Sequence, residues 1–525
     1  MSNVTWSAEW WEANARPIIQ AYGEKGWWAV LEALAGAPAA YVQYIKSVYE
    51  RSPEHVIIET FLIVFILYIS FVKKSKLPKQ ATDRLTPAEI QQLCDEWQPE
   101  PIVEAAPAQE IEKVTYNLGI VEGTPGTHIK LRGINQPVIN MGTLDFLGMA
   151  SRPEIKNVAH ETLIKYGCGS CGPRGFYGTI DTHEILEKNI AKFIGTTDTI
   201  TISDIEATAS SVLPAFAKRG DLIVIDEGVN DSLLVGINLS RCTTYYYKHN
   251  DLEDLERVLK SVRDADKKAG RRSDCQRRYL VTEGLFRNYG DILPLPQVLA
   301  LTRKYFFRLF VDESFSFGVL GATGKGITEH YNLPIDSIDI ICGSLCSSLA
   351  GVGGFSTGSQ HVVDYQRINS AGYVFSASAP PYTSAVTSEA IRLLTNEPKL
   401  LESLKYNAKT VHQVLSSSAA VKVLSDPESP VVHVRLANSL LSQATADKVV
   451  EQCLAKGVAV VASHYKTSPS KSVFLTIRLT VNAQHSKEHI TTACRTVVAA
   501  LEAVSKLPSS DDTQATTDNG LRKRK

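Results

Sequence analysis

Residues 339–358, DIICGSLCSSLAGVGGFSTG, form a stretch of small and hydroxyl-bearing residues that follows an apolar run. The isoleucines of that run predict a buried strand, and residues 343–348 predict a loop at its carboxyl end. In imine catalysis a primary amine attacks a carbonyl and forms a covalent adduct. A serine hydroxyl cannot do this, and no lysine lies between Lys325 and Lys399. The stretch therefore lacks the nucleophile that imine chemistry requires.

A second stretch, residues 166–187, reads YGCGSCGPRGFYGTIDTHEILE. Its glycines are too dense for the interior of a helix or strand, and they predict a loop in which the backbone closely approaches another backbone or a ligand. Glycines alone are weak evidence, so the longer pattern matters: Arg174 in the loop, with His183 and Glu187 opening a helix. Cys168 and Cys171 form a CxxC, but no second pair or histidine cluster completes a zinc site, so we expect packing or turn cysteines and no metal.

The longer pattern resembles the Gly-x-Arg-x-x-x-Gly-x-x-x-x-His-x-x-Leu-Glu signature of the α-oxoamine synthases, a family of fold-type I pyridoxal-phosphate enzymes. Within that family, CGPRGFYGT is similar to the first long-chain-base subunits of serine palmitoyltransferases, which lack the catalytic lysine. The resemblance covers roughly residues 85–505. It puts Ser347 in the register of the lysine that holds the cofactor in active members. It therefore implies a chain with the surroundings of the site and no catalytic lysine.

The resemblance also assigns the groups around the cofactor ring. Asp312 matches the aspartate that keeps the pyridine nitrogen protonated, so that the ring can accept carbanion electrons. Phe315 and Asn230 stand where active members have histidines. Asp204 and Glu206 lie where a helix N-terminus would hold the phosphate, and carboxylates there repel it by roughly a few kcal/mol, although acidic residues also stabilise helix N-termini. We therefore expect no cofactor in this chain's own pocket, with Asp312 vestigial.

Members of this family are dimers in which one protomer reaches the cofactor of the other. By resemblance, the loop FSASAPP brings the hydroxyls of Ser376 and Ser378 toward a partner's phosphate, and the alternative is a turn before a helix. Arg478 has the register of the arginine that binds a substrate carboxylate; alternatively, it serves only the fold of a small domain. Pyridoxal 5'-phosphate would then be held mainly by a lysine-bearing second long-chain-base subunit.

The reaction implied by the resemblance condenses L-serine with palmitoyl-CoA to 3-oxosphinganine in a heterodimer, and this chain is not expected to be active alone. Two alternatives stay open. The chain could be a catalytically silent membrane scaffold or regulator, or a self-sufficient acyltransferase that uses another lysine. Small regulatory membrane proteins are further possible partners.

Positioning these residues requires an α/β body. Apolar strands alternate with helices over residues 221–226, 277–284 and 308–314, and this alternation predicts a mostly parallel sheet with helices on both faces. Loops at the carboxyl ends of the strands should line the crevice. From about residue 400 the pattern changes to helices and short strands. We expect the fold-type I, aminotransferase-like architecture that the resemblance implies, with a large domain over residues 113–395 and a small α+β domain over 396–507.

The segments before and after this body differ from it in composition. Residues 56–72, VIIETFLIVFILYISFV, would span roughly 25 Å as a helix, and a lysine-rich flank follows. By the positive-inside rule we expect a single-pass anchor in the endoplasmic reticulum membrane with the body in the cytosol, the alternative being a buried helix. We expect an amphipathic segment over residues 1–55, a linker with a short capped helix over 73–112, and a disordered tail over 508–525.

Composition excludes several other classes of protein. The net charge of −1 gives no sign of nucleic-acid binding. The nine cysteines are an odd number spread along 525 residues, which argues against a secreted disulfide scaffold.

Overall fold

A computed structural model describes residues 46, 50, 58, 61–68, 86–99, 119–270, 276–437, 441–466 and 473–506. The chain divides into two compact units, Met1–Ala108 and Gln109–Lys525, and each is described by itself. In the first unit, residues 61–68 are helical. Helix α1, Pro87–Glu96, begins at the predicted capping box, in which Thr86 and Glu89 hydrogen-bond each other's backbone amides.

No helix among the residues just given is long and apolar enough to cross a membrane. Of the expected anchor, only residues 58 and 61–68 are described, and the rest of residues 56–72 lie outside. The expected amphipathic segment is described only at residues 46 and 50, and the tail after residue 507 is outside as well. These three expectations stay predictions.

The second unit contains fourteen strands in its described part, which are numbered in chain order. They are β1 His128–Ile129, β2 Val138–Asn140, β3 Asp198–Ile202, β4 Leu222–Asp226, β5 Thr243–Tyr247, β6 Arg278–Glu283, β7 Arg308–Asp312, β8 Ile340–Ser344, β9 Gly354–Gly358, β10 Val421–Val423, β11 Val431–Leu436, β12 Val458–Ala459, β13 Val461–Lys466 and β14 Val473–Thr480.

The α-helices of this unit continue the numbering from α1. They are α2 Pro153–Tyr166, α3 Asp181–Ile194, α4 Ile205–Phe216, α5 Asp231–Ser240, α6 Leu252–Ala269, α7 Leu295–Tyr305, α8 Ile327–His330, α9 Gln360–Asn369, α10 Ala371–Val374, α11 Pro381–Asn396, α12 Lys399–Ser416, α13 Gln443–Ala455 and α14 Lys487–Ser505.

A seven-stranded sheet in the order β3-β9-β8-β7-β6-β4-β5 forms the centre of the unit. The strands from β5 through β8 pair in parallel, and β9 runs antiparallel to both β8 and β3. The predicted mostly parallel sheet is therefore confirmed, with one reversed strand. The reversal follows from chain length, because the short 345–353 connection is a hairpin loop, whereas a parallel crossover needs about a dozen residues or more.

Continuous apolar runs explain why the central strands form where they do. Strands β4, β6 and β8 are buried along their whole length, as expected for parallel strands covered on both faces. Each of these runs ends in polar or small residues at the carboxyl edge of the sheet. The polar side chains that could take part in chemistry therefore lie at that edge, and the apolar part of each strand packs in the core.

Two further sheets lie outside the central one. Strands β10-β11-β14-β13 form an antiparallel sheet, and β12 pairs in parallel with β2 at the edge of a sheet of order β1-β2-β12. Helices and short strands after residue 396 agree in kind with the predicted α+β portion. The boundaries at residues 395 and 507 stay predictions.

Candidate active site

The carboxyl ends of β4, β6 and β7 bring three polar residues into direct contact. Asn230, which follows β4, caps helix α5 by accepting a hydrogen bond from the Leu233 amide at 3.1 Å. Its side-chain amide donates to Asp312 Oδ2 at 2.9 Å, and its backbone amide donates to Glu283 Oε1 at 2.6 Å. Asn230 thus supplies the Asp312 carboxylate with a hydrogen-bond donor from its own chain.

Burial controls the protonation of these carboxyl groups. Burial raises the pKa of Asp312 above its usual range. Burial and the neighbouring Asp312 raise the pKa of Glu283 to about 8, so Glu283 is largely neutral at pH 7. Burial likewise raises the pKa of Glu313 to about 7. Glu283 and Glu313 at this edge are therefore at least half neutral at pH 7. Glu283 was not among the residues predicted from the sequence, where its only signal was that it ends the strand RYLVTE.

The position expected for the lysine is filled by a buried serine. Ser347 is 1% exposed, and its backbone carbonyl accepts a hydrogen bond from the Phe146 amide at 3.0 Å. The ring of Phe146 lies 5.9 Å from the ring of Phe315, which occupies one of the two histidine slots. The position of Ser347, where active members carry the lysine, therefore lies in a packed part of the core that contains aromatic side chains.

These residues do not fit pyridoxal phosphate within this chain. The cavity beside Asp312, which Asn230, Phe315 and Cys342 also line, has a volume of about 20 Å³. A space of that size holds about one water molecule. It cannot hold a substituted pyridine ring with its phosphate, and no amine is available at residue 347.

The two carboxylates expected at the phosphate position lie on the surface at the start of α4. Asp204 is the N-cap of this helix and accepts a hydrogen bond from the Ala207 amide at 2.7 Å. Glu206 is exposed, and its carboxylate lies 3.5 Å from the Arg287 guanidinium. The capping role that was the alternative for these acids is therefore present in the structure.

The hydroxyls of Ser376 and Ser378 both bond within the chain. Ser378 is buried and donates to the carbonyl of Gly172 at 3.1 Å and to that of Gly178. Ser376 donates to the Gly372 carbonyl and lies 3.4 Å from the hydroxyl of Ser203. Helix α11 begins just after this loop, as the turn alternative had it. Orientation toward a partner's phosphate stays a prediction.

The glycine-rich loop is held in place by a buried ion pair. Arg174 binds Glu187 through two hydrogen bonds of 2.6 and 3.0 Å, and it also donates to the hydroxyls of Thr179 and Thr201. A Cβ at Gly178 would overlap the carbonyl of Gly172, so glycine is required there for steric reasons. The expected close approach of backbone to backbone is therefore found.

Arg478 and the cysteines Cys168 and Cys171 are the remaining residues considered in the sequence. Arg478, on β14, donates to the Gly142 carbonyl at 3.0 Å, and its Nε is buried without a partner in the described part of the chain. Burial and the nearby Arg287 lower the pKa of Arg478 to about 10, so it stays cationic at neutral pH and could receive a carboxylate. Cys168 and Cys171 are exposed free cysteines of the loop. Among the residues described, no metal-binding group of three or more side chains is present.

Comparison with known proteins places this geometry in a family. The profile of the aminotransferase class I and II family matches residues 136–497. "Serine palmitoyltransferase 1" of Dictyostelium discoideum is 39% identical over 440 residues, which cover 82% of this chain and 90% of that protein. "Long chain base biosynthesis protein 1b" of Oryza sativa subsp. japonica is 40% identical over 442 residues, which cover 83% and 89%.

Solved structures agree with the sequence relatives. A Sphingomonas wittichii serine palmitoyltransferase is 25% identical, with a TM-score of 0.67, over 76% of this chain and 97% of that one. A structure described as SPT with the PLP internal aldimine is 26% identical, with a TM-score of 0.66, over 80% and 97%. The chain therefore belongs to the aminotransferase class I and II family and, within it, to the group of serine palmitoyltransferase 1 and long chain base biosynthesis protein 1.

Proposed function

We propose that this chain is the non-lysine subunit of a heterodimeric serine palmitoyltransferase, which condenses L-serine with palmitoyl-CoA to 3-oxosphinganine in sphingolipid synthesis. Pyridoxal phosphate, held on a lysine of the second subunit, would supply the electron sink. The observation that carries the proposal is the pairing of a preserved fold with a pocket that cannot hold that cofactor. A chain that lacks both the amine and the space would contribute to turnover by completing a partner's site.

Arg478 is the residue of this chain best suited to act on the substrate. Its partly buried guanidinium has one bond to a carbonyl and an unpartnered Nε among the described residues. A bound carboxylate would satisfy that donor in a charge-assisted hydrogen bond. Serine carries such a carboxylate, so orienting it is the role we assign to Arg478.

Co-expression with a lysine-bearing partner tests the proposal. We expect Arg478→Ala to lower the activity of the complex about tenfold or more, and Ser378→Ala to lower it less. Ser417→Ala, at an exposed position on the end of α12, is the matched control. If Arg478→Ala, Ser376→Ala and Ser378→Ala all retain control activity in an intact complex, the shared-site proposal fails.

One observation favours a second candidate, a scaffold or regulator without a part in turnover. The Ser378 hydroxyl, which would reach a partner's phosphate, is already bonded to two carbonyls of its own chain. Unchanged activity in the three variants, together with loss of the partner when this chain is deleted, would identify that function.

We also propose that residues 56–72 anchor the assembly in the endoplasmic reticulum membrane with the body in the cytosol. The apolar run and the lysines after it support this, as does the long apolar tail of the acyl-CoA substrate. Protease treatment of sealed microsomes should degrade an epitope at residue 525 and spare one at residue 1. Cleavage of both epitopes contradicts the anchor, and the reverse pattern contradicts its orientation.

A further inference from the structure

Helices α3 and α11 border a groove with a volume of about 730 Å³, which is within the range of ligand sites. On α3 the groove is lined by Thr182, Ile185, Asn189 and Lys192, spaced as one helix face. Helix α11 lines it with the same spacing, at residues 385, 388, 392 and 395. This α3–α11 groove therefore runs roughly 15 Å along two parallel faces.

The interior of the groove is apolar. Ile185, on α3, is 50% exposed, whereas Thr182, about one turn earlier, is only 8% exposed. The remaining apolar wall comes from α2, the end of α3, α11 and the start of α12, and consists of Val158, Phe193, Ile391, Leu394, Pro398 and Leu401. An apolar surface of this length and shape suits a single hydrocarbon chain, because a chain of that kind fills a narrow groove without requiring hydrogen bonds.

The charges along the groove are predominantly positive. Lys192, Lys325 and Arg392 line it together with a single acid, Glu389. Glu389 binds Arg392 at 2.6 Å, so that pair is internally neutral. Neither lysine has an ion pair with a residue that the structure describes, and the nearby Glu329 is engaged by the amides of Thr323 and Lys325. The charge of Lys325 is partly offset by its coulombic interaction with Glu329, and the net positive charge of the lining residues favours an anionic group on the ligand.

We propose that the α3–α11 groove binds a single-chain lipid whose head carries one negative charge, a long-chain carboxylate. The apolar walls hold the chain, and Lys192 and Lys325 hold the head. The groove shares no lining residue with the cavity beside Asp312. The proposal therefore does not depend on serine palmitoyltransferase activity.

Photolabelling tests the proposal on the full chain in its membranes. Hexadecanoate bearing a terminal diazirine is added, irradiated, and mapped by mass spectrometry of peptides. We expect labelling on residues 181–194 and 381–396, and competition by unlabelled hexadecanoate. A diazirine-bearing hexadecanol of equal length should label these peptides about fivefold less, because it lacks the charge. Equal labelling by the alcohol overturns the assignment of an anionic head.

Variants separate this site from general association with the bilayer. Lys192→Ala combined with Lys325→Ala should reduce labelling about fivefold or more, and Ile185→Trp should abolish it by obstructing the groove at its narrow apolar part. Lys188→Ala is the matched control, because Lys188 is exposed on α3 outside the groove. Circular dichroism checks that each variant is folded. Labelling that persists in folded Ile185→Trp, or that falls equally in Lys188→Ala, overturns the proposal.

Discussion

The buried ion pair between Arg174 and Glu187 predicts a large loss of folding stability when one of its charges is removed. The two side chains are 5% and 7% exposed and are joined by two hydrogen bonds. Glu187 also accepts from the backbone amide of Thr201 at 2.8 Å. Replacing Glu187 with glutamine keeps the shape and removes the charge, which leaves the guanidinium buried without a counter-ion.

The expected cost of Glu187→Gln follows from that burial. Breaking a buried pair from one side costs about 3–5 kcal/mol, a large part of the roughly 5–15 kcal/mol that stabilises a typical domain. Chemical unfolding of the full chain, followed by circular dichroism, measures the loss. In the double variant Arg174→Met, Glu187→Leu, neither charge remains buried, and we expect part of the stability to return.

An exposed pair provides the control for this experiment. Arg257 and Asp254 are 2.7 Å apart, but the arginine side chain is 67% exposed. Arg257→Met should therefore cost less than about 1 kcal/mol. If Glu187→Gln is no more destabilising than Arg257→Met, or if the double variant is no more stable than Glu187→Gln, the reasoning about the buried pair is refuted.

Three further predictions concern the sheet edge and its surroundings. His249 is bonded to Asp226 and Asp291 at 2.8 and 3.1 Å. Burial alone would lower the pKa of His249, but these carboxylates raise it to about 10. The protonated histidine therefore stabilises the folded state by a few kcal/mol; this contribution is complete below pH 6.5 and is lost as the pH rises toward 10. Unfolding of His249→Gln should lack this pH dependence, and an unchanged profile contradicts the assignment. Asn230→Asp should destabilise the chain by about 2–4 kcal/mol at pH 8, because it adds a carboxylate beside Asp312, and by less at pH 5. Asn230→Ser, the control, should cost about 1–2 kcal/mol at both pH values. Equal losses of stability in the two variants at pH 8 argue against a charge effect. Ser347→Lys should yield no borohydride-reducible adduct with pyridoxal phosphate, because the cavity of about 20 Å³ cannot receive it; a stoichiometric adduct by intact mass would show that the pocket opens.

Local patterns determined which parts of the fold could be predicted. The apolar run that ends at Asp312 predicted both strand β7 and its polar end, and Thr86 with Glu89 predicted the start of α1. These features depend on neighbouring residues, so one sequence contains the information. The glycines of residues 166–187 predicted a close backbone approach for the same reason.

Contacts between distant segments could not be predicted in this way. The reversal of β9, the donation from Asn230 to Asp312, and the bonds of Ser378 to the glycine-rich loop depend on where loops meet after folding. Glu283 looked like an ordinary charged residue at a strand end, and only burial beside Asp312 explains its raised pKa. The expected anchor and partner contacts stay predictions.

The pairing of β2 with β12 has a consequence for biosynthesis. Ile139 pairs with Val458, about three hundred residues later in the chain. At roughly 10 residues per second, the ribosome needs about half a minute to make the second strand after the first. During that interval the edge of the β1–β2 hairpin has no β12 partner and can pair with another nascent polypeptide. Newly made chains should therefore need a chaperone over this edge, and premature termination before residue 458 should yield aggregation-prone fragments.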